Sequence, residues 1–309
     1  MATKNQNVLS LIGVVAVSFC WGIGGPLCFI TTQSLPVEQA AWARCFIAFL
    51  GLTPFFISGG LKIFISLPRK AKSLLVLSGV TLGVHFYCFM AGVAHSSLAT
   101  TVTLVAVEPV LILLVGWLIF KEHLKQSSIL GICLCVCGIF ITAVLPHILN
   151  KNFKSSSRTY GDICAVLAVL SYGIYYAFNR GFRKYNHNPT LHRSFSLASI
   201  IYLFSAISSG IVAAFAYAKG IQFQMPSLRV FGALVAVGFI PTILGHTLNQ
   251  IVSRAANPVW ISLMSPGETL TALLLGFVFL GQGISNFDLA GGAFILSGVF
   301  ISAYSEMKS

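Results

Sequence analysis

The pattern of residues 108–143 returns, without a gap, 160 positions further along the chain. Glu108 falls on Glu268, Leu113-Leu114 on Leu273-Leu274, and Gly116 on Gly276. Gly131 meets Gly291, and Gly138-Ile139-Phe140-Ile141-Thr142-Ala143 meets Gly298-Val299-Phe300-Ile301-Ser302-Ala303. A register held over that distance makes the chain a tandem repeat, so the fold is one unit built twice. Val107–Phe120, near the start of this block, has the apolarity of a bilayer-crossing helix, yet it carries a carboxylate followed at once by Pro109.

The rest of the composition agrees with a membrane setting. Of 309 residues, 56% are hydrophobic and 8% charged, with a mean hydropathy of +0.88. A soluble domain has about a quarter of its residues charged, so a water-solvated surface cannot be assembled here. Long continuous apolar runs also exclude a transmembrane barrel, whose strands alternate in polarity. The formal net charge of +12 raises nucleic acid as a partner. The bases sit in short loops between apolar runs, however, which is the cytoplasmic bias of membrane proteins, so no nucleic-acid partner is expected. All eight cysteines lie inside apolar segments and read as small buried hydrophobes, with no metal site and no disulfide framework. The run from Val8 to Cys20 continues through Trp21-Gly22 without a small-residue cleavage site and reads as a retained first helix.

A helix needs about 20 apolar residues to cross a bilayer. Charges and turn residues divide the chain into ten such spans, near 8–30, 39–58, 73–94, 98–119, 127–146, 161–179, 194–216, 230–251, 257–280 and 286–305. The fold class is therefore an all-α polytopic membrane protein. Residues 1–146 form a first five-helix repeat, 147–160 a connector, 161–305 a second repeat and 306–309 a short tail. Five spans per unit is odd, so the second unit enters the membrane from the opposite side. Loop charges fit that inversion. With both termini cytosolic and Arg44 set aside, thirteen of the other eighteen Lys and Arg residues fall inside and five outside. The connector, with Lys151, Lys154 and Arg158, runs against the trend. Inverted repeats of this kind characterise secondary transporters, whose halves rock about a site near the midplane.

Several short motifs in order sharpen this expectation. They are Trp21-Gly22 in span one, Ala43-Arg44 in span two, Glu108-Pro109 with Gly116-Trp117-Leu118 and Glu122 in span four, Gly131 and Gly138 in span five, and the repeated block at 265–303. Together they resemble the EamA-type ten-helix proteins of the drug/metabolite transporter superfamily, across nearly the whole chain. Two departures are Gly281-Gln282, where the second repeat commonly has Gly-Glu, and a divergent span seven. The resemblance implies a helical bundle with a central cavity between the halves. It also implies transport of amino acids, their derivatives, nucleotide-like metabolites or toxic organics.

Glu108 and Glu268 are the leading site candidates. A charged side chain at the bilayer centre costs about 2.5–3.5 kcal/mol even on translocon scales, so it faces a cavity or a partner. The competing reading places each at a helix end, where Pro109 is well tolerated in a first turn. Arg44 reads either as a fork for a carboxylate or as a structural partner of a Glu, or as a base snorkelling to the interface. His85 and His246, one residue out of repeat register, can relay a proton or simply bond a neighbouring helix. Asn249 adds polarity beside His246. Trp21 and Tyr172 occupy matching positions at a shift of 151 and, with Tyr87, Tyr175, Tyr176 and Trp260, can wall a planar or cationic ligand or mark the membrane interface. Gly22, Gly24, Gly25 and Pro26 should weaken span one, and Pro109 and Pro266 stand beside the two glutamates as further hinge candidates.

No Walker motif, His-Glu-x-x-His or Gly-x-Ser-x-Gly is present. The expectation is thus a cofactor-free, metal-free secondary transporter rather than an enzyme, with a small-molecule substrate and the lipid bilayer as partners, as monomer or homodimer. The expected location is a bacterial cytoplasmic (inner) membrane. The carboxylates, Arg44 and aromatics suit an amine or sulfonium together with a carboxylate. Among the resembling family, S-adenosylmethionine uptake, by exchange with S-adenosylhomocysteine, fits that chemistry first. Export of amino acids or toxic organics is the alternative, and a non-transporting receptor or membrane enzyme is the rival of another class.

Overall fold

The computed structural model describes residues 4–149, 156–186, 190–255 and 264–307, and no strand occurs among them. Ten helical segments follow one another: α1 (Leu11–Thr32), α2 (Val37–Ser66), α3 (Arg69–His95), α4 (Leu98–Phe120), α5 (Gln126–Leu149), α6 (Ser156–Tyr185), α7 (Leu191–Ala218), α8 (Leu228–Asn249), α9 (Met264–Leu280) and α10 (Asn286–Tyr304). Nine are long and apolar enough to cross a membrane, and α9 is a shorter apolar helix. The chain is thus an all-α, multi-pass membrane protein. Large apolar side chains such as Phe279, Ile57 and Phe215 are turned outward, at 75%, 74% and 68% exposure. A continuous apolar exterior of this kind suits lipid, not water.

The helix boundaries have local causes. Pro36 and Pro68 precede α2 and α3, where an extended residue before the helix is compatible with proline. Ser97 opens α4 by accepting from the Thr100 amide at 2.9 Å. Ser285 and Asp288 cap α10 reciprocally, each side chain accepting from the other's amide at 3.1 Å. The helix of α5 runs to Leu149 and that of α6 starts at Ser156, so each reaches into the stretch read from sequence as connector. Lys151 and Lys154 lie outside the described residues.

Where α4 and α9 end, the repeat returns in the backbone. Lys121 takes a left-handed φ of 59°, and its repeat mate Gly281 a φ of 62°. In both turns the following residue, Glu122 or Gln282, donates its amide back to Gly116 or Gly276, at 3.1 and 3.0 Å. Glycines also place the helices. A Cβ on Gly22 would meet Thr271 of α9, and one on Gly173 would meet Leu111 of α4. The two contacts are repeat mates: α1 lies on α9 as α6 lies on α4. Between α5 and α10, Gly131 approaches the carbonyl of Gly298, and Gly138 that of Gly291. Ascending numbers on one helix meet descending numbers on the other, so these equivalent helices cross in opposite directions.

Candidate functional site

Two helices are interrupted at the level where the halves meet. The helix of α1 breaks at Ile23, between Lys4–Gly22 and Gly24–Thr32. Pro26 lacks the amide that an α-helix would send back to Gly22, which accounts for the weak point. In α4 the break falls at Ala106–Val107, after which Glu108 opens a fresh segment with Pro109 in its first turn. Glu108 is therefore both a helix-end residue and a residue of the bundle interior. Its carboxyl sits at the positive end of the second segment's dipole.

These breaks, with α2, α3, α6, α8 and α9, surround one cavity of about 450 Å3, its open mouth included. Trp21, Gly24, Arg44, His85, Phe86, Phe89, Val105, Glu108, Tyr172, Pro241, His246 and Glu268 line it. The structure thus brings together seven residues singled out from sequence: both glutamates, both histidines, Arg44, Trp21 and Tyr172. Gly24 reaches the same wall. Gly22, Gly25, Pro26, Pro109 and Pro266 act in the helix backbone and do not line the cavity. Asn249, within the helix His246–Ala255, is not among the lining residues, and Trp260 lies outside the described residues.

Arg44 is 5% exposed, so it does not snorkel. Among the described residues it pairs with no carboxylate within salt-bridge reach. Its Nε donates to Thr242 Oγ1 at 3.1 Å, Nη1 lies 3.6 Å from Cys28 Sγ, and the guanidinium stands 3.9 Å over the Phe86 ring. Glu108 Oε1 is buried without a hydrogen-bond partner, as is Trp21 Nε1. Among the described residues, the basic group within ion-pair reach of Glu108 is His85, with Nδ1 at 3.9 Å from Oε1. That nitrogen is 2.9 Å from the carbonyl of Ala168. A carbonyl only accepts, so Nδ1 carries the proton and directs it there, leaving Glu108 uncompensated.

Ring contacts tie the two halves together. Trp21 and His246 centroids are 5.4 Å apart, Phe86 and His246 6.3 Å, and His85 and Tyr172 5.2 Å. Phe86 and His246 are themselves repeat mates, so they face one another across the axis relating the halves. The one-residue offset of the histidines has a steric reason. The mate of His85 is Gly245, where a Cβ would stand 2.6 Å from the Trp21 ring. Absence of a side chain there admits the indole.

Two further polar groupings lie at opposite ends of the bundle. At one end, Glu122 pairs with Arg180, whose guanidinium is 4.3 Å over Phe120. This pairing holds the Glu122 carboxyl below its ordinary range. At the other end, buried Asp162 accepts from Ser96 Oγ and meets His147 Nε2 at 2.7 Å. Nearby, Thr100 donates to Asp288 at 2.8 Å and accepts from Arg158 at 3.4 Å. Sequence reasoning singled out neither Asp162 nor Asp288; the Ser-x-x-Asp spacing at 285–288 was the available signal. It also missed Phe86, Phe89, Val105 and Pro241, which look like ordinary helix residues until the helices are packed. All eight cysteines are free, and Cys133 and Cys137 are exposed rather than buried.

Comparisons with known proteins agree with this architecture. The profile of the EamA-like transporter family matches residues 8–144 and again 159–304. The uncharacterized transporter YoaV of Bacillus subtilis (strain 168) is 22% identical over 307 residues, covering 96% of this chain and 97% of the relative. A protein of Salmonella typhimurium (strain LT2) named "Probable amino-acid metabolite efflux pump" is 21% identical, covering 98% of this chain and 96% of its own. A solved structure described as "Crystal structure of protein" superposes over 100% of both chains with a TM-score of 0.61 and 16% identity, a likeness of fold alone.

Proposed function

The chain belongs to the EamA-like transporter family, and from that membership we propose that it carries a small amino-acid-like or nucleoside-containing metabolite by alternating access. One observation carries the substrate class. Among the described residues, a buried guanidinium with no carboxylate within salt-bridge reach and a buried carboxyl oxygen, Glu108 Oε1, with no hydrogen-bond partner line the same cavity. A ligand bearing both a cation and a carboxylate would compensate each, and burying an uncompensated charge is otherwise costly. Trp21 and Tyr172 supply faces for an adenine or a sulfonium. S-adenosylmethionine, taken up in exchange for S-adenosylhomocysteine, has this complete set of groups and is the leading substrate. The rings of Trp21, Phe86 and His246 close on one another, so a nucleoside-sized ligand requires the halves to separate, as a rocking mechanism provides.

Loop charge supports an orientation with both termini cytosolic, and we place the protein in a bacterial inner membrane as monomer or homodimer. The name of the Salmonella relative favours a second reading, export of amino-acid metabolites. Counterflow in proteoliposomes separates the two. Labelled S-adenosylmethionine should accumulate against internal unlabelled S-adenosylmethionine and be displaced by S-adenosylhomocysteine. Movement of an amino acid without S-adenosylmethionine counterflow would replace the first reading by the second. Binding without movement of any compound would make the protein a receptor.

A further inference from the structure

Pro241 and Thr242 sit in the π-helical segment Gly238–Gly245 of α8. In an α-helix the carbonyl of Val237 would accept from the amide of residue 241, but proline has none. The π segment shifts the backbone register by one residue to i→i+5, and the hydroxyl of Thr242 adds a bond of its own, donating to Val237 O at 2.7 Å. A hydroxyl has one proton, so Thr242 Oγ1 can then only accept, and it accepts from Arg44 Nε at 3.1 Å. Tyr202 holds the same residue from α7, donating to Thr242 O at 2.9 Å. Thr242 is 0% exposed and faces Arg44 from the other repeat. With Nε engaged there, the guanidinium carbon 3.9 Å over the Phe86 ring and one of the two Nη1 protons given to Cys28 Sγ at 3.6 Å, the Nη1–Nη2 edge keeps one proton on Nη1 and those of Nη2 for a ligand. That edge can take both oxygens of a carboxylate in parallel.

We propose that Thr242 is a positioning residue that aims Arg44 as a carboxylate fork, so that the transporter selects substrates carrying a free carboxylate over their amides or decarboxylated forms. This inference rests on the transport reading above and adds a residue and a discrimination to it. Val at position 242 keeps the shape and removes both hydrogen bonds; Ser keeps both. A merely structural role would alter stability or turnover for all substrates alike, whereas positioning alters the ratio between them.

The experiment measures competition against uptake in proteoliposomes of the full chain. Its probe pairs are S-adenosylmethionine with its decarboxylated analogue, and methionine with methioninamide. The wild type should favour the acid by roughly tenfold or more, the scale of one charge-assisted hydrogen bond. Thr242→Val should bring the ratio near one, Thr242→Ser should restore it, and Arg44→Lys should lose it. A Thr242→Val protein that keeps the wild-type ratio overturns the proposal, as does a wild type without preference. Should Thr242→Val fail to fold in detergent, the Ser and Lys variants decide: an unchanged ratio in Arg44→Lys, or a lost one in Thr242→Ser, overturns it. Should the wild type move none of the compounds, the transport reading falls. Equilibrium dialysis of the same pairs then tests the fork separately, and equal binding of the acid and of the partner lacking the carboxylate removes it too.

Discussion

Replacing Glu108 by Gln should weaken substrate recognition while leaving the fold nearly as stable as before. The carboxylate opens the second segment of α4, where the helix dipole favours its charge by about 0.3–1 kcal/mol. Oε1 is buried without a hydrogen-bond partner, and the proton of His85 Nδ1, 3.9 Å away, is directed to Ala168. Removal of the charge also relieves the desolvation cost of a buried anion. The net change in stability is therefore no more than about 1 kcal/mol, a few degrees in Tm at most. Loss of a charge-assisted hydrogen bond to a cationic substrate group costs about 1.5–3 kcal/mol, or roughly 10- to 150-fold in apparent affinity. Half-saturation of counterflow, measured beside thermal unfolding in detergent, reads both quantities. A Tm lowered by much more than a few degrees with unchanged half-saturation would refute the reasoning and make Glu108 a structural residue.

Three other outcomes follow from the geometry. Lys121→Gly should stabilise the protein by about 1 kcal/mol, because a left-handed φ of 59° is strained for a residue with a Cβ and free for glycine; an unchanged or lower Tm would contradict it. Gly138→Ala should destabilise by about 1–3 kcal/mol, since its Cβ would stand 2.7 Å from Gly291 O and 3.0 Å from Ile295 N, backbone atoms that move only if α5 and α10 part. The Glu122–Arg180 pair is half exposed and contributes no more than about 1 kcal/mol. Because its folded carboxyl pKa is depressed, that contribution is present above about pH 4.3 and lost as pH falls through the folded value. Arg180→Leu should abolish this part of the acid dependence, which pH-resolved unfolding measures.

Much of this architecture was legible in the chain because its causes are local. Apolar length makes a helix cross lipid, and the shift of 160 relates Lys121 to Gly281 and Glu108 to Glu268. The intramembrane polar residues were legible as candidates for the same reason: an ionisable group in an apolar run is rare. Facing was not legible. A helix that is apolar on every side carries no stripe to say which side meets which neighbour, so Phe86, Phe89 and Pro241 were indistinguishable from lipid-facing residues. Packing alone decided that Arg44 lies on Phe86 and Thr242 instead of a glutamate, and that Gly245 makes room for Trp21. It also joined Asp162 to Ser96 and His147, contacts between helix ends that no single helix encodes. Sequence by itself determined the spans and their doubling, through hydrophobicity and turn chemistry acting over a few residues. Only the tertiary structure decided which groups were left unpaired at the centre, because compensation depends on partners on other helices: Thr242 lies 198 residues from Arg44, and Ala168 lies 83 from His85.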